Sequence, residues 1–363
     1  MKVGIDASRA FLRERTGTEE YAYQLIKNLT KINDPFCQFF LYVKKGAEID
    51  FDLPENFHKR TIGREKYWTQ IGLSAELLMN PVDVLLVPSH SIPFLHPKRT
   101  VAMIHGVEFK NCPKCYSRPD RFFLELNTMI SIKWAKKIIT PSASTKKDLI
   151  KFYSISPEKI TVIHHGTESP KSIKSGVQGD EFNILFIGRL EKRKNITNLI
   201  KAFEIFKESC KLQTANCKLI LAGRPGFGYD EIRREINGSK RKNDIILTGY
   251  VSQSEKENLY AKAGIFIMPS FAEGFGLPIL EAMRRRVPVL CSDITPFFEI
   301  AMDSAMYFDP KSYDDVADKM RMVIMNEHVQ KDLVERGFKN AKNYSWERCA
   351  EETMNVLLDR STS

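Results

Sequence analysis

Short, almost unbroken apolar runs alternate with helical stretches from one end of the chain to the other, and this alternation restricts the fold more than any other feature. In the first half the runs are 2–6 (KVGID), 37–44 (CQFFLYVK), 83–88 (DVLLVP), 100–105 (TVAMIH), 136–140 (KKIIT) and 160–165 (ITVIHH), with helical spacing over 18–32, 64–79 and 142–152. The second half repeats the plan at 183–188 (NILFIG), 218–223 (KLILAG), 244–249 (DIILTG), 265–270 (IFIMPS), 288–293 (PVLCSD) and 305–309 (AMYFD). Runs that are apolar throughout, not at alternate positions, are strands covered on both faces. Strands separated by helices pair in parallel through right-handed crossovers. The sequence therefore predicts an α/β fold of two doubly wound, Rossmann-like domains, which suits 363 residues better than one core would.

The stretch 166–182 (GTESPKSIKSGVQGDEF) lacks periodicity and reads as a linker. It divides the chain into an N-terminal domain over 1–168 and a C-terminal domain over 169–344. A final helix over 345–363 opens on an N-cap serine, Ser345. Ligands of such sheets bind beyond the carboxyl ends of the strands, so two sheets facing each other across a cleft would share one site.

Residues 1–168 carry 25 Lys and Arg against 18 Asp and Glu, and residues 169–363 carry 30 against 27. The excess in the first half points to an anionic partner there, phosphate or acidic lipid. The mixed helical stretch 64–78 and the cluster Lys133, Lys136, Lys137, Lys146, Lys147 and Lys151 are where a membrane surface would bind. No nucleic-acid partner is expected. No apolar run reaches membrane-spanning length, and the start has no signal-type apolar segment. A cytoplasmic protein is expected, with peripheral attachment to the inner face of the membrane as the further expectation. Cys112 and Cys115 (CPKC) lack the further ligands of a zinc site and read as unpaired thiols. The acidic Asp50–Asp52 pair (DFD) reads as loop surface, and GRPGFG (223–228) as a tight turn.

The stretch EGFGLPILEAM (273–283) combines features that seldom share a ligand. Gly274 and Gly276 before Pro278 shape a helix start that suits phosphate. Glu273 and Glu281 suit hydroxyl groups. A nucleotide-diphosphate sugar, with phosphates in the middle and polyols at both ends, answers both. FIGRLEKRKNI (186–196) adds Arg189, Lys192, Arg193 and Lys194 at the end of a buried strand.

These stretches, with GTEEYAYQL (17–25), VAMIHGVEF (101–109), ITPSASTKKDLI (139–150) and YSWE (344–347), resemble the retaining glycosyltransferases of the GT-B fold, family 4. The resemblance covers nearly the whole chain, and EGFGLPILEAM matches the family's E-x7-E signature. It implies a catalytic set of His105, Glu273, Arg189 and Lys194. Arg189 and Lys194 would hold the donor diphosphate and Glu281 the ribose. Glu273 and the backbone of Gly274, Phe275, Gly276 and Leu277 would hold the transferred sugar and phosphate. Gly17 and Thr18 would approach the phosphates, and Tyr250 and Val251 the base. The terminal helix would cross back onto the first domain. Lys192 and Arg193 are expected to tolerate substitution. Departures from the family's pattern fall at Glu19 and Glu20, at Gly106, where many relatives carry Asp, and at His165–Glu168.

The implied activity is metal-independent, retaining hexosyl transfer from a UDP-, GDP- or ADP-sugar to a glycan or lipid-linked hydroxyl, with no cofactor. A nucleotide-sugar 2-epimerase on the same plan, or a non-catalytic nucleotide-sugar-binding protein, are the alternatives.

Overall fold

The structure is a computed structural model that describes residues 1–32, 34–89, 91–170, 183–210 and 216–360. Most of the expected linker, 171–182, lies outside the described residues. The chain divides into two compact units: Met1–Val107 with Pro119–Gly166 and Ser345–Ser363, and Glu108–Arg118 with Thr167–Tyr344. Residues 108–118 thus pack with the second unit, although both flanking segments belong to the first.

In chain order the first part contains β1 (Lys2–Asp6), α1 (Gly17–Leu29), β2 (Gln38–Lys44), β3 (Phe57–Ile62), a π-helical turn (Trp68–Leu73) running into α2 (Ser74–Met79), β4 (Val84–Val87) and β5 (Arg99–Met103). Then come α3 (Glu108–Asn111), α4 (Arg118–Trp134), β6 (Lys137–Thr140), α5 (Ala143–Tyr153) and β7 (Ile160–Val162). The strands form one parallel sheet in the order β3-β2-β1-β4-β5-β6-β7. The edge strand β3 (FHKRTI) is mostly polar and outward-facing, which is why apolar patterning does not reveal it. The helix expected over 64–79 begins only at Trp68, because Tyr67 takes a left-handed conformation at φ 54°.

The second part contains β8 (Asn183–Ile187), α6 (Ile196–Ser209), β9 (Lys218–Ala222), α7 (Tyr229–Gly238), β10 (Ile245–Gly249), α8 (Gln253–Ala261) and β11 (Ala263–Met268). It continues with α9 (Leu277–Arg284), β12 (Val289–Ser292), α10 (Thr295–Ala301), β13 (Met306–Phe308), α11 (Tyr313–Ile324), α12 (Glu327–Ala341) and α13 (Trp346–Leu358). Its sheet is parallel, in the order β10-β9-β8-β11-β12-β13. Successive residues of β8 alternate between two cores. Ile184 and Phe186 pack with Leu199, Phe203 and Phe206 of α6. Leu185 and Ile187 belong with Ile279, Leu280 and Met283 of α9. A strand covered on both faces has no polar side, and this accounts for its unbroken apolar sequence.

The terminal helix α13 belongs to the first unit, as the fold class implies. Trp346, Cys349, Ala350, Thr353 and Leu357 are buried there, Arg99 Nη2 donates to the Leu357 carbonyl at 3.1 Å, and Arg360 pairs with Asp34 at 3.2 Å. Cys112 and Cys115 are joined in a disulfide, contrary to the expectation of free thiols: the helical turn Pro113–Cys115 brings their Cα atoms to 5.4 Å. The remaining cysteines, Cys37, Cys210, Cys217, Cys291 and Cys349, are buried and form no disulfide.

Candidate active site

The strand orders locate the ligand end of each unit before any side chain is considered. In the second sheet the winding reverses between β8 and β11, since β8 leads outward to β9 while β11 leads outward to β12 on the other side. The loops leaving the carboxyl ends of those two strands splay apart and open a crevice. They are residues 188–195 and 269–276, the segments that carry the basic turn and the glutamate–glycine turn.

The basic turn is rigid. Leu190 N–H donates to the Arg224 carbonyl at 2.8 Å, Gly226 N–H to Leu190 at 2.9 Å and Lys192 N–H to Phe227 at 2.8 Å. GRPGFG therefore braces the backbone of 190–192. Gly223 has φ 147°, and a Cβ there would lie 1.9 Å from the Gly188 carbonyl oxygen, so no other residue fits. The chain turns through a 3-10 segment, Lys192–Lys194, and enters α6 at Asn195, whose Nδ2 donates to the Pro310 carbonyl at 2.7 Å.

This geometry gives the four cations of the turn different environments. The Arg189 side chain is 56% exposed, and Lys192 pairs with Glu231 at 3.0 Å on the surface. Arg193 and Lys194 turn inward and both meet Glu273. Arg193 Nη1 lies 2.7 Å from Glu273 Oε2, and Lys194 Nζ pairs with Oε1. Arg193 also bonds the Ala272 carbonyl at 2.8 Å and Glu191 at 2.8 Å, while the Phe271 N–H donates back to the Arg193 carbonyl at 2.9 Å. The two loops of the crevice are thus pinned together through Arg193. This contradicts the expectation that Arg193 tolerates substitution: it is a buried strut, and of Lys192 and Arg193 only Lys192 is a surface cation.

Burial pushes the Glu273 carboxyl up, but Arg193 and Lys194 more than reverse this and hold it at about 2. Burial pushes Lys194 down against the opposing pull of Glu273. Glu108 of α3 lies 4.0 Å from Arg193, and burial pushes its carboxyl up. The sequence reading gives Glu108 no role and Arg193 only a place in the basic turn, because their proximity depends on residues 108 and 193 meeting in the folded unit.

Gly276 opens α9 at φ 116°, where a Cβ would strike the Phe297 ring at 2.8 Å. Pro278 lies in the first turn, as expected. Glu281 falls beyond that turn, so the helix dipole does not account for it. Its carboxylate is buried and accepts from Lys256 Nζ at 2.6 Å and Tyr260 OH at 3.1 Å, both on α8. Burial raises its pKa, and Lys256 and Arg285 lower it further still, so the net shift is downward. The backbone at Gly274, Phe275, Gly276 and Leu277 forms the turn between the two glutamates. Tyr250 and Val251 follow β10, with Arg224 over the Tyr250 ring at 4.9 Å.

The remaining expected residues lie in the first unit. Gly17 and Thr18 open α1, where Thr16 and Glu19 form a capping box. Glu20 pairs with Arg15 at 3.0 Å. The acidic pair that departs from the family pattern thus has capping and pairing roles. His105 follows β5. Its Nε2 lies 2.9 Å from the Pro88 carbonyl after β4, which fixes the tautomer with Nε2 as donor. Burial pushes its pKa down to about 4, so it is neutral at physiological pH. Tyr21 packs against it at 4.9 Å, and His165 stacks on Trp346 at 5.9 Å.

Comparison with known proteins matches this arrangement. The family "Glycosyl transferases group 1" matches residues 168–340, and "Glycosyltransferase Family 4" matches residues 16–169. O-antigen chain mannosyltransferase B of Escherichia coli is 29% identical over 269 residues, 71% of this chain and 70% of its own length. Sucrose-phosphate synthase from Thermosynechococcus elongatus superposes with a TM-score of 0.78 at 14% identity, covering 99% of this chain and 98% of that one. Anabaena HepE in complex with UDP-glucose gives 0.74 at 15% identity over 99% and 100%. At such identities the structures show the fold, which is GT-B. The two family matches, which together run through both units, show that the chain belongs to the group 1, family 4 glycosyltransferases.

Proposed function

We propose that the chain moves a hexose from a nucleotide-diphosphate sugar to a hydroxyl of a growing glycan, with retention at the anomeric carbon and without a metal ion. The observation that carries the reading is the crevice at the switch of the second sheet, where the turn after β8 carries Arg189, exposed and 3.8 Å from Glu191, and Lys194, which pairs with Glu273 of the turn after β11. An O-antigen mannosyltransferase among the relatives supports a glycan acceptor and makes mannose the first sugar to test. The UDP-glucose complex of HepE supports a nucleotide-diphosphate sugar as donor.

In this reading the bond between the anomeric carbon and the phosphate oxygen breaks, and its electron pair leaves with the nucleoside diphosphate. Arg189 and Lys194 face the negative charge that grows there. The acceptor oxygen bonds to the anomeric carbon on the same face, and its proton passes to the departing phosphate. Glu273, ionised across the physiological range, accepts hydrogen bonds from sugar hydroxyls. Glu281, oriented by Lys256 and Tyr260, accepts from the ribose. A thermal-shift screen of UDP-, GDP- and ADP-linked mannose and glucose identifies the donor, since a ligand that binds the folded state raises its melting point. NMR of the product then reads the anomeric configuration. An inverted product removes retention from the reading, and conversion of donor alone to its 2-epimer replaces transfer with isomerisation.

A further inference from the structure

Three consecutive arginines, Arg284, Arg285 and Arg286, close α9, and they have different surroundings. The middle one is buried and has its carboxylate: Arg285 Nε donates to Glu257 at 2.9 Å. The two that flank it turn toward α12, which runs so near that a Cβ at Gly337 would sit 3.0 Å from Met283 Cγ. There the Arg286 guanidinium stands 4.1 Å from the centre of the Phe338 ring, the Lys342 amine 4.7 Å and the Arg284 guanidinium 5.7 Å. A ring has two faces, so at least two of the three cations share one.

None of the three has an acidic partner among the described residues. Arg284 Nη2 donates to the Ser169 hydroxyl at 2.8 Å, and its Nε is buried without a hydrogen bond. Two helix ends lie beside the cluster, since Arg284 is in the last turn of α9 and Lys342 caps α12. Each end carries about half a negative charge, so together they offset about one cation of the three. Arg286 is moreover held at φ 58°, in the left-handed region. It closes the helix in a Schellman turn: its N–H donates to the Met283 carbonyl at 3.1 Å, and the Val287 N–H donates to that of Ala282 at 3.0 Å. Glycine takes this position freely and arginine does so at a cost. A strained arginine among like charges is a mark of function, because packing alone would favour glycine there.

We infer that Arg284, Arg286 and Lys342, gathered on Phe338 between the C-terminal ends of α9 and α12, form a binding site for a small soluble anion of the phosphate class. Guanidinium forks match phosphate oxygens two at a time, and the lysine adds a point charge. The buried Arg284 Nε and the half-buried Phe338 make a recess, which suits a compact solute. The site is separate from the crevice: α9 opens after Gly276 and ends eight residues later, roughly 12 Å away along its axis. Full-length Arg189→Ala protein, which lacks the exposed cation of the crevice, is titrated calorimetrically with inorganic pyrophosphate. It binds, and the further substitutions Arg286→Gly with Lys342→Gln lower the affinity roughly a hundredfold, because two charge-assisted contacts are lost. In the same background Arg286→Gly alone melts no lower than its parent, since glycine relieves the left-handed residue, yet loses most of the rise in melting point that pyrophosphate gives. Equal affinity with and without the substitutions overturns the inference, as does Arg189→Ala protein that takes up no pyrophosphate. A lower melting point with unchanged pyrophosphate affinity makes Arg286 a packing residue and overturns it as well.

Discussion

In the second unit the turns after β8 and β11 bring together buried ion pairs: Arg193 and Lys194 on Glu273, with Glu191 and Glu108 behind. In the first unit the carboxyl ends of β1, β5 and β7 carry groups that burial holds toward neutrality. His105 is kept at about 4, His165 is pushed down by burial, and burial raises Asp6 even though it accepts the Ser8 N–H at 3.0 Å. Both edges belong to parallel sheets with the same winding rule. The difference lies in what each turn can offer a ligand: one presents ions in fixed positions, the other rings and neutral hydrogen-bonding groups. A diphosphate requires the former.

The largest expected effect comes from breaking the ionic edge at its strut. Arg193→Ala leaves Glu273 paired only with Lys194 in a site where the Arg193 and Glu273 side chains are 14% and 8% exposed. Removing one partner of a buried pair costs about 3–5 kcal/mol, read as a lower urea midpoint for the second unit. Lys192→Ala, one residue away in sequence, should cost no more than about 0.5 kcal/mol, as surface pairs do. Equal losses in the two variants would mean that the inward and outward cations of the turn are not distinct.

The next effect is on donor binding. Glu281→Gln keeps the shape but replaces an ionised acceptor with a neutral one, a difference of about 1.5 kcal/mol, so donor affinity should fall roughly tenfold by calorimetric titration. Unchanged affinity would leave Glu281 as a brace for Lys256 and Tyr260 alone.

The smallest effect separates the two edges by pH. His105 and His165 have folded pKa values below the unfolded one, so they favour folding while neutral. That contribution is complete above roughly pH 6.5 and is lost as the pH falls toward about 4 for His105. Glu273 loses its contribution in the same direction but at lower pH: it is present above roughly pH 4.5 and disappears only as the pH approaches about 2. All of the tryptophans, Trp68, Trp134 and Trp346, lie in the first unit. Tryptophan fluorescence should therefore report a unit that weakens between pH 6.5 and 4, while Arg193→Ala leaves that signal where it was. A fluorescence midpoint that shifts with Arg193→Ala would couple the two edges.

The contrast also marks what the sequence could reveal. Glu273, the glycine turn and Pro278 are legible because they are contiguous: a strand, a turn and a helix start within eleven residues carry their own geometry. The alternation of strands and helices is legible because a doubly covered strand has no polar face. Arg193 is not, since Arg189, Lys192, Arg193 and Lys194 look alike in a row, and only the 3-10 segment sorts them into outward and inward pairs. Glu108 is not, because it joins the second unit from a segment flanked on both sides by the first. The edge strand β3 and the Cys112–Cys115 disulfide were hidden by polar sequence and by a turn too short for periodicity to show.

The most direct test of the ionic edge is the steady-state turnover of the identified nucleotide sugar by Lys194→Ala beside Lys192→Ala. Lys194 is placed to face charge that grows as the sugar–phosphate bond breaks, and one such donor is worth about 2.7–4 kcal/mol. Its loss should lower kcat by roughly a hundredfold or more, not merely raise KM, while Lys192→Ala stays close to wild type. Equal kcat values for the two variants would contradict the account and leave the turn a general basic surface.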